Sequence, residues 1–286
     1  MSDVVHIYKG ILRDGTEVKI ELYWDDIPRD SYRRFVEECK VLSMLHHKNL
    51  VRVLGWCKSR KFRAIITEWT SEENVEMWLS GSDSPWNQRL KVLMGVVECM
   101  RYMQKEWPEI DYELDTSSIL LSDKMEPLIS RFKVGDHSNN QRSKNNTQLA
   151  CLVMPFPFST FMACKLSVFS FYFVEIHRFG VFVLEMILSK KVQEEFDGDD
   201  AGFIRDMRNL SEADLQQMID ERMEVTETNF HQVKQALSLG LMCIDQSNSE
   251  KPSLAMILNT VARAYKTSLV LPSANHRIFK GHIQTN

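Results

Sequence analysis

The spacing of apolar residues changes along the chain from a pattern typical of strands to one typical of helices, and this change limits the folds it can adopt. Short β-like segments lie on either side of Asp14-Gly15, and an Asp-Gly pair between two such segments favours a β-hairpin. Beyond a serine-rich loop that ends at Pro85, apolar stripes at helical spacing predominate. We therefore predict a small antiparallel sheet followed by a larger helical part, with the boundary between Glu68 and Pro85.

Residues 1–70 are predicted to form the smaller, strand-rich part. Apolar residues recur every three or four positions over residues 31–45 while charged residues occupy the other faces, which predicts one amphipathic helix. Residues 50–57 and 63–69 are apolar and β-branched, as expected of further strands. This part should thus be a sheet that carries a single helix.

Residues 71–270 are predicted to form the larger part, and the apolar stripe over residues 87–105 indicates a long helix there. The segment 136–178 interrupts the helical pattern and is expected to be irregular. Its first portion, 136–148, is polar and lacks aromatic residues, which is typical of a mobile loop. Residues 271–286 are expected to form a flexible tail.

Composition narrows the function before any motif is considered. The net charge is −4 and 26% of the residues are charged, so no basic field indicates nucleic acid or an anionic membrane surface as a partner. The six cysteines show no C-x-x-C spacing, which favours reduced thiols and a cytosolic compartment over disulfides or a zinc site. Residues 1–10 lack the basic and apolar regions of a signal peptide. We therefore expect a cytoplasmic protein that binds neither nucleic acid nor a metal.

The segment Asp111–Leu121, with the sequence DYELDTSSILL, is similar to the catalytic-loop signature H-R-D-L-x-x-x-N of protein kinases. Further fragments keep the order of the plant receptor-like kinase family: 7–10, 14–18, 35–38, 45–57, 86–90, 127–132, 179–185 and 251–253. Together they make residues 5–266 resemble that family. The resemblance implies an α+β, bilobal protein-kinase-like fold, in which a small N-terminal antiparallel sheet with one helix precedes a larger helical lobe.

The resemblance also implies roles for five positions, four of which depart from the family pattern. Glu113 stands in place of the aspartate that accepts the substrate hydroxyl proton, and Ser118 in place of the asparagine that holds magnesium. Glu21 replaces the phosphate-binding lysine, and Arg131 replaces the magnesium-binding aspartate of D-F-G. The helix glutamate of the family is retained as Glu38. These replacements predict a catalytically inactive domain, a pseudokinase.

A nucleotide site is expected to be lost for the same reason. No glycine precedes Gly10, where the glycine-rich loop of the family would lie and where bare backbone has to approach the phosphates. Thr67 and Glu68 correspond to the hinge that would face a nucleotide. We expect no cofactor. ATP and magnesium are implied only under the alternative that the chain is a weakly active serine/threonine kinase that uses Glu113 as its base.

Two of the replaced residues carry charges of exchanged sign. In the family fold the phosphate-binding lysine and the D-F-G aspartate face one site, and here Glu21 and Arg131 take their places. We predict that Arg131 pairs with Glu21 or Glu38 and fills the space of ATP. The alternative is that these charges stay solvated in an open cleft.

The apolar segment 149–174 has Lys165 as its single charge and is long enough to cross a bilayer. Pro155 and Pro157 argue against a membrane span, and a span would also separate two parts that the kinase fold joins in one lobe. We expect instead that the segment replaces the end of the family's activation segment, and translated intron sequence is one origin for it.

The resemblance implies protein partners, among them an active receptor-like kinase. It implies a role as a signalling scaffold or regulator at the cytoplasmic face of the plasma membrane, with membrane association only if the domain is part of a larger receptor. Three hydroxyl residues of the polar loop, Ser138, Ser143 and Thr147, are candidates for phosphorylation in trans, which would add charge for a partner's arginines.

Overall fold

The N-terminal part of the protein is a four-stranded antiparallel sheet that carries one helix, as predicted. The computed structural model describes residues 5–24, 29–59, 61–81, 83–108, 110–133, 158–192, 200–245 and 251–270. The strands follow the spatial order β1-β2-β4-β3. Their bounds are Val5–Ile11 for β1, Glu17–Trp24 for β2, Val53–Lys58 for β3 and Phe62–Glu68 for β4, with helix α1 at Arg29–Met44.

The hairpin between β1 and β2 is confirmed at the predicted turn. Gly15 has a φ of +87°, a left-handed conformation that glycine adopts without steric cost. The carboxylate of Asp14 accepts a hydrogen bond from the backbone N–H of Thr16 at 3.0 Å. The turn therefore sets the register of the two strands, in which Gly10 lies opposite Val18.

The larger part of the protein is helical and contains two short two-stranded ladders. Its helices are Val75–Gly81 (α2), Trp86–Glu106 (α3), Phe158–Leu188 (α4), Asp200–Asn209 (α5), Glu212–Met218 (α6), Glu227–Ile244 (α7) and Leu254–Val270 (α8), with a 3₁₀ turn at Glu221–Met223. The short strands are Asp111–Tyr112 (β5), Ile119–Leu121 (β6), Pro127–Ile129 (β7) and Phe132–Lys133 (β8). Strand β5 pairs with β8, and β6 pairs with β7.

Helices α4 and α7 form the centre of the helical core. Gly180 on α4 lies so close to α7 that a Cβ atom there would be 2.6 Å from the Cβ of Cys243 and 2.8 Å from the carbonyl oxygen of Gly240. Phe179 and Phe182 beside it are fully buried. This close approach holds α4 against α7. The position of α4 in turn determines where its side chains meet the catalytic loop.

The two parts are joined where the loop after α1 meets strand β7. The backbone N–H of Val51 donates to the carbonyl oxygen of Ile129 at 3.0 Å, and the N–H of Ile129 donates to that of Asn49 at 3.0 Å. The buried side-chain amide of Asn49 donates to the carbonyl oxygen of Pro127 at 2.8 Å. These bonds place the N-terminal sheet over the end of the catalytic loop.

The structure differs from the sequence analysis within residues 136–178. That segment was expected to be irregular, but its backbone is helical from Phe158 onward as the first half of α4. The apolar residues of the segment make a continuous helix possible because proline occurs only ahead of it, at Pro155 and Pro157. Within the described ranges, no helix combines the length and the apolar character that crossing a bilayer requires.

Candidate catalytic cleft

The catalytic loop lies between β5 and β6 and is positioned by the pairing of β5 with β8. Strand β5 pairs with β8 so that Tyr112 lies opposite Phe132. One residue further on, the backbone N–H of Glu113 donates to the carbonyl oxygen of Arg131 at 3.1 Å. This register brings the position of the catalytic base next to the position of the D-F-G aspartate.

The side chains at these two positions form an ion pair with each other. The guanidinium Nη1 of Arg131 lies 3.4 Å from Oε2 of Glu113. The Arg131 side chain is 61% exposed and that of Glu113 is 24% exposed, so solvent screens the pair. A pair of this kind stabilises a protein by roughly 0 to 1 kcal/mol. It nevertheless engages a carboxylate oxygen that a general base would need free for the substrate proton.

The prediction that Arg131 pairs with Glu21 or Glu38 is therefore wrong. Glu21 instead forms an ion pair with Lys19, at 2.9 Å between Nζ and Oε1, and accepts a hydrogen bond from the hydroxyl of Tyr23 at 3.0 Å. Residues two apart on a strand point to the same face, so these three side chains of β2 share one face. The alternation of side chains along a strand could have predicted this pairing, because Lys19 lies two residues from Glu21.

Glu38 lies on α1 next to Cys39, and its charge acts on the Cys39 thiol together with that of Arg63. The pKa of the Cys39 thiol is raised to about 12, mainly by burial, with the negative charge of Glu38 adding to the rise and the positive charge of Arg63 opposing it. Glu38 is half-buried in this arrangement. The helix glutamate of the family is thus retained in the sequence, but Glu21 stands on β2 at the position of the lysine that it would orient.

The hinge positions are engaged in the sheet. Thr67 lies opposite Lys19, and Glu68 lies opposite Val18. The backbone N–H of Glu68 donates to the carbonyl oxygen of Arg52 at 3.0 Å, and the Glu68 carboxylate accepts from the N–H of Arg52 at 3.1 Å. Glu68 therefore uses its N–H and its carboxylate within the protein rather than presenting them to a ligand.

The residue after the hinge pair is held by β1 and β2. The N–H of Trp69 donates to the carbonyl oxygen of Glu17 at 3.1 Å. The ammonium group of Lys9 lies 4.6 Å from the centroid of the Trp69 ring and 2.8 Å from the carboxylate of Glu17. Trp69 is thus fastened to the sheet by a backbone bond and a cation–π contact.

Ser118, at the position of the magnesium-binding asparagine, is directed into its own loop. Its hydroxyl donates to the carbonyl oxygen of Asp115 at 3.0 Å and accepts from the N–H of Asp115 at 3.2 Å. The Asp115 carboxylate accepts from the N–H groups of Ser117 and Ser118, each at 3.0 Å. Burial acts to raise the pKa of Asp115, but these hydrogen bonds outweigh it and hold the pKa below its ordinary value. The polar groups of Asp115, Ser117 and Ser118 therefore bond to one another within the loop.

No metal site was found among the described residues. Within those ranges, no group of three or more histidine, cysteine, aspartate or glutamate side chains is arranged to hold an ion. Arg131 offers donors only, and an ammonium or guanidinium group does not ligate a cation. The two magnesium positions of the family therefore lack a carboxylate or amide ligand, because Arg131 stands at one and Ser118, whose hydroxyl bonds to the Asp115 backbone, stands at the other.

The catalytic loop is also attached to helix α4, and this attachment was not predicted. Arg178 donates through Nη1 to the carboxylate of Asp111 at 2.6 Å and to the carbonyl oxygen of Tyr112 at 3.0 Å. One turn earlier on α4, Glu175 faces the fully buried Tyr112. Burial raises the pKa of Glu175 to about 7, with Asp111 adding to the rise and Tyr112 and Arg178 opposing it. The residues lie more than 60 positions apart, and no local pattern indicates their contact.

A second attachment lies deeper in the same lobe. The hydroxyl of Thr116 donates to Oε2 of the buried Glu185 at 2.8 Å and accepts from the ammonium group of Lys191 at 2.8 Å. Lys191 also lies 3.5 Å from Glu76 on α2. Thr116 of the loop is therefore bonded to Glu185 on α4 and to Lys191 just after α4, and Lys191 connects the loop to α2. These contacts hold the loop in shape although the family residues for phosphoryl transfer are replaced in the sequence.

A small antiparallel sheet, a helical lobe and a catalytic-loop frame between them define the fold of a protein kinase. The chain belongs to the protein tyrosine and serine/threonine kinase family, whose model matches residues 3–261. The predicted fold class is thereby confirmed, and so is the resemblance to receptor-like kinases, as the relatives of the chain show.

The relatives are receptor-like kinases from plants. The chain is 26% identical to receptor-like serine/threonine-protein kinase ALE2 of Arabidopsis thaliana, over 91% of this chain and 35% of that protein. It is 25% identical to cysteine-rich receptor-like protein kinase 44 of the same plant, over 88% of this chain and 68% of that protein. The chain spans about a third of the length of several of these relatives, as with ALE2.

A solved structure has the same fold. The pseudokinase domain of BIR2, an immune regulator of the RLK/Pelle family, superposes with a TM-score of 0.65 and 16% sequence identity, covering 92% of this chain and 78% of that chain. At this level of identity the likeness establishes the fold alone. The phosphorylation candidates Ser138, Ser143 and Thr147 lie outside the described residues.

Proposed function

We propose that this chain is a catalytically inactive kinase domain, a pseudokinase, that acts through contacts with other proteins. The observation that carries the proposal is the ion pair between Glu113 and Arg131, at 3.4 Å. It joins the position of the catalytic base to the position of the magnesium-binding aspartate. In an active kinase one of these groups accepts a proton while the other holds a metal ion; Arg131 cannot hold a metal ion, and while the pair persists it occupies the carboxylate that would accept the proton.

The phosphate side of the cleft supports the same proposal. Phosphoryl transfer depends on a cation that contacts the phosphates and on metal ions that neutralise their developing charge. Glu21 supplies a negative charge at the lysine position, and Lys19 is already paired with it at 2.9 Å. The charge near the phosphate site is thus neutralised within β2 and offers little attraction to a nucleotide.

A weakly active serine/threonine kinase is the second candidate function. It is favoured by the exposure of the Arg131 side chain, because a screened pair of this kind is weak and Glu113 is released from it at little cost. Under this alternative Glu113 accepts the hydroxyl proton, and ATP with magnesium is the cofactor. A base displaced by about 1 Å loses on the order of a hundredfold in rate.

A thermal-shift measurement with ATP and magnesium separates the two functions. A ligand present at a hundred times its dissociation constant stabilises a protein by about 2.7 kcal/mol. We expect no shift for the natural chain. The matched control is a variant with the family residues restored, Glu21→Lys, Glu113→Asp, Ser118→Asn and Arg131→Asp, tested with its own unliganded form as baseline. A magnesium-dependent rise in the natural chain would overturn the proposal.

The partner is proposed to be a protein, an active receptor-like kinase in the first place, at the cytoplasmic face of the plasma membrane. Support comes from the plant receptor-like kinases to which the chain is similar. Capture of a receptor kinase domain by the immobilised chain tests this idea. A scaffold should retain the partner when Glu113 is changed to Gln, because the cleft chemistry is not part of that contact, and a partner that binds only in the presence of ATP contradicts it.

A further inference from the structure

A polar cavity lies in the helical lobe, between α5 and the end of α7. Its volume is about 200 Å³, and its wall consists of Ala201, Ile204, Arg205, Arg208, Asn209 and Asp245. Five of these residues belong to α5, at positions that share one helix face. A cavity of this size is smaller than the roughly 300 to 1,000 Å³ of pockets for drug-sized ligands, so it fits a single side chain or a small ion.

The charges of the wall favour a negatively charged occupant. Two guanidinium groups and one carboxylate line the cavity, so the side chains of the wall itself carry one excess positive charge. Asp245, which is buried, holds Arg208 in place through a bond of 2.9 Å to Nη2. Arg205 is 72% exposed, and the ion pair that it makes among the described residues, to the neighbouring Asp206, is long at 3.7 Å.

Most donors of the wall have no protein acceptor within the described ranges. A guanidinium carries five N–H donors, and Arg208 uses one nitrogen on Asp245. Among the described residues, the side-chain amide of Asn209 makes no hydrogen bond that meets ordinary geometry. Arg208 is therefore oriented by a buried carboxylate, and as far as the described residues show, its remaining N–H groups, most of those of Arg205 and the Asn209 amide stay available to a ligand.

We propose that this cavity binds an oxyanion, either a phosphate monoester or a carboxylate presented by a side chain of a protein partner. The planar fork of arginine matches the oxygen spacing of both groups and forms charge-assisted hydrogen bonds with them. Asp245 limits the affinity because its carboxylate repels the same ligand. The proposal concerns a surface other than the cleft and does not depend on whether the cleft binds ATP.

The test uses the full chain and follows the arginine Nε–Hε resonances by NMR. The probes are N-acetyl-phosphoserine methylamide and N-acetyl-glutamate methylamide, each titrated separately. We expect saturable shifts of Arg205 and Arg208 with a dissociation constant in the millimolar range, as for a single small ion. Whichever probe binds more tightly identifies the source of the oxyanion.

The variant Arg205→Ala should weaken binding of the better probe about tenfold. Arg205 is exposed, so this change leaves the fold intact, which an unchanged urea midpoint verifies. The matched control is Arg263→Ala, an exposed arginine on α8 outside the cavity wall, which should change the affinity less than twofold. Shifts that do not saturate with either probe, or an equal loss in both variants, would overturn the proposal.

Discussion

Arg89 and Arg131 differ in burial and in the number of groups that they bond. The comparison distinguishes a charge that supports the fold from a charge that lies in the catalytic cleft. Arg89 on α3 is fully buried and bonds to Asp220, Met186, Ser84 and Ser189. Arg131 in the cleft is 61% exposed and makes one ion pair, at 3.4 Å. The buried charge is satisfied by a network, whereas the exposed charge is screened by water.

The difference shows which charges are essential to the fold. Burial lowers the pKa of Arg89 to about 10, against the opposing effect of the Asp220 hydrogen bond and charge. On Asp220, burial acts to raise the pKa, but hydrogen bonds from Arg222, Ser189 and Arg89 outweigh it and lower the pKa. Removing one partner of a buried pair costs about 3 to 5 kcal/mol, while an exposed pair contributes roughly 0 to 1 kcal/mol. The Arg89 network in the helical core therefore contributes much more to stability than the Glu113–Arg131 pair in the cleft.

The largest effect is expected from Arg89→Ala. The change removes the buried guanidinium that pairs with Asp220, although Arg222 still contacts that carboxylate, and should lower the free energy of unfolding by about 3 to 5 kcal/mol. Urea denaturation followed by circular dichroism measures it. Arg131→Ala in the same assay is the control, and a loss below 1 kcal/mol for Arg89→Ala would end the contrast between the two sites.

The next largest effect concerns Glu175, behind the catalytic loop. Its pKa is raised to about 7, above the ordinary value of 4.5, so the folded state holds a proton that the unfolded state releases. The stability from this group is fully present below pH 4.5 and is lost as the pH rises through 7. The loss is on the order of 3 kcal/mol.

Glu175→Gln should remove this pH dependence. Denaturation midpoints of the natural chain and of the variant, measured between pH 5 and pH 8.5, should diverge up to about pH 7 and run parallel above it, with the variant the more stable at the alkaline end. Two parallel curves would show that Glu175 is ionised throughout and that burial does not control it.

A smaller effect is expected where α4 approaches α7. Gly180→Ala places a Cβ atom 2.6 Å from the Cβ of Cys243, and neither helix backbone yields easily, so the change should cost about 1 to 3 kcal/mol. The matched control is Gly81→Ala, because a Cβ atom at Gly81 meets open space. Equal stability of the two variants would show that α4 and α7 separate without cost, so that their close approach does not stabilise the helical core.

The smallest effect is expected in the cleft itself. Arg131→Ala should change the free energy of unfolding by less than about 1 kcal/mol, because the pair with Glu113 is screened. Glu113→Gln should behave alike, and the double variant should equal the sum of the two single changes within about 0.5 kcal/mol. A coupling energy above 1 kcal/mol in this double-mutant cycle would mean that the cleft pair is part of the frame.

Local features of the chain were predictable from the sequence. The hairpin at Asp14-Gly15 was predicted because its turn chemistry resides in adjacent residues, and α1 was predicted because an amphipathic helix repeats over its own length. The segment before Arg178 was not predicted to be helical. Its apolar residues lack a polar face, and without periodicity a sequence pattern distinguishes a buried helix poorly from other apolar structure.

The sequence by itself determined the order of the elements and the identity of the replaced kinase residues, because motifs and periodicity are properties of neighbouring positions. Only the tertiary structure decided which charges meet. Glu113 pairs with Arg131 because the register of β5 and β8 places them side by side. Arg178 bonds to Asp111 although the two residues are 67 positions apart in the chain. Glu21 stays with Lys19 because a side chain two residues away on the same strand face is nearer than a distant guanidinium.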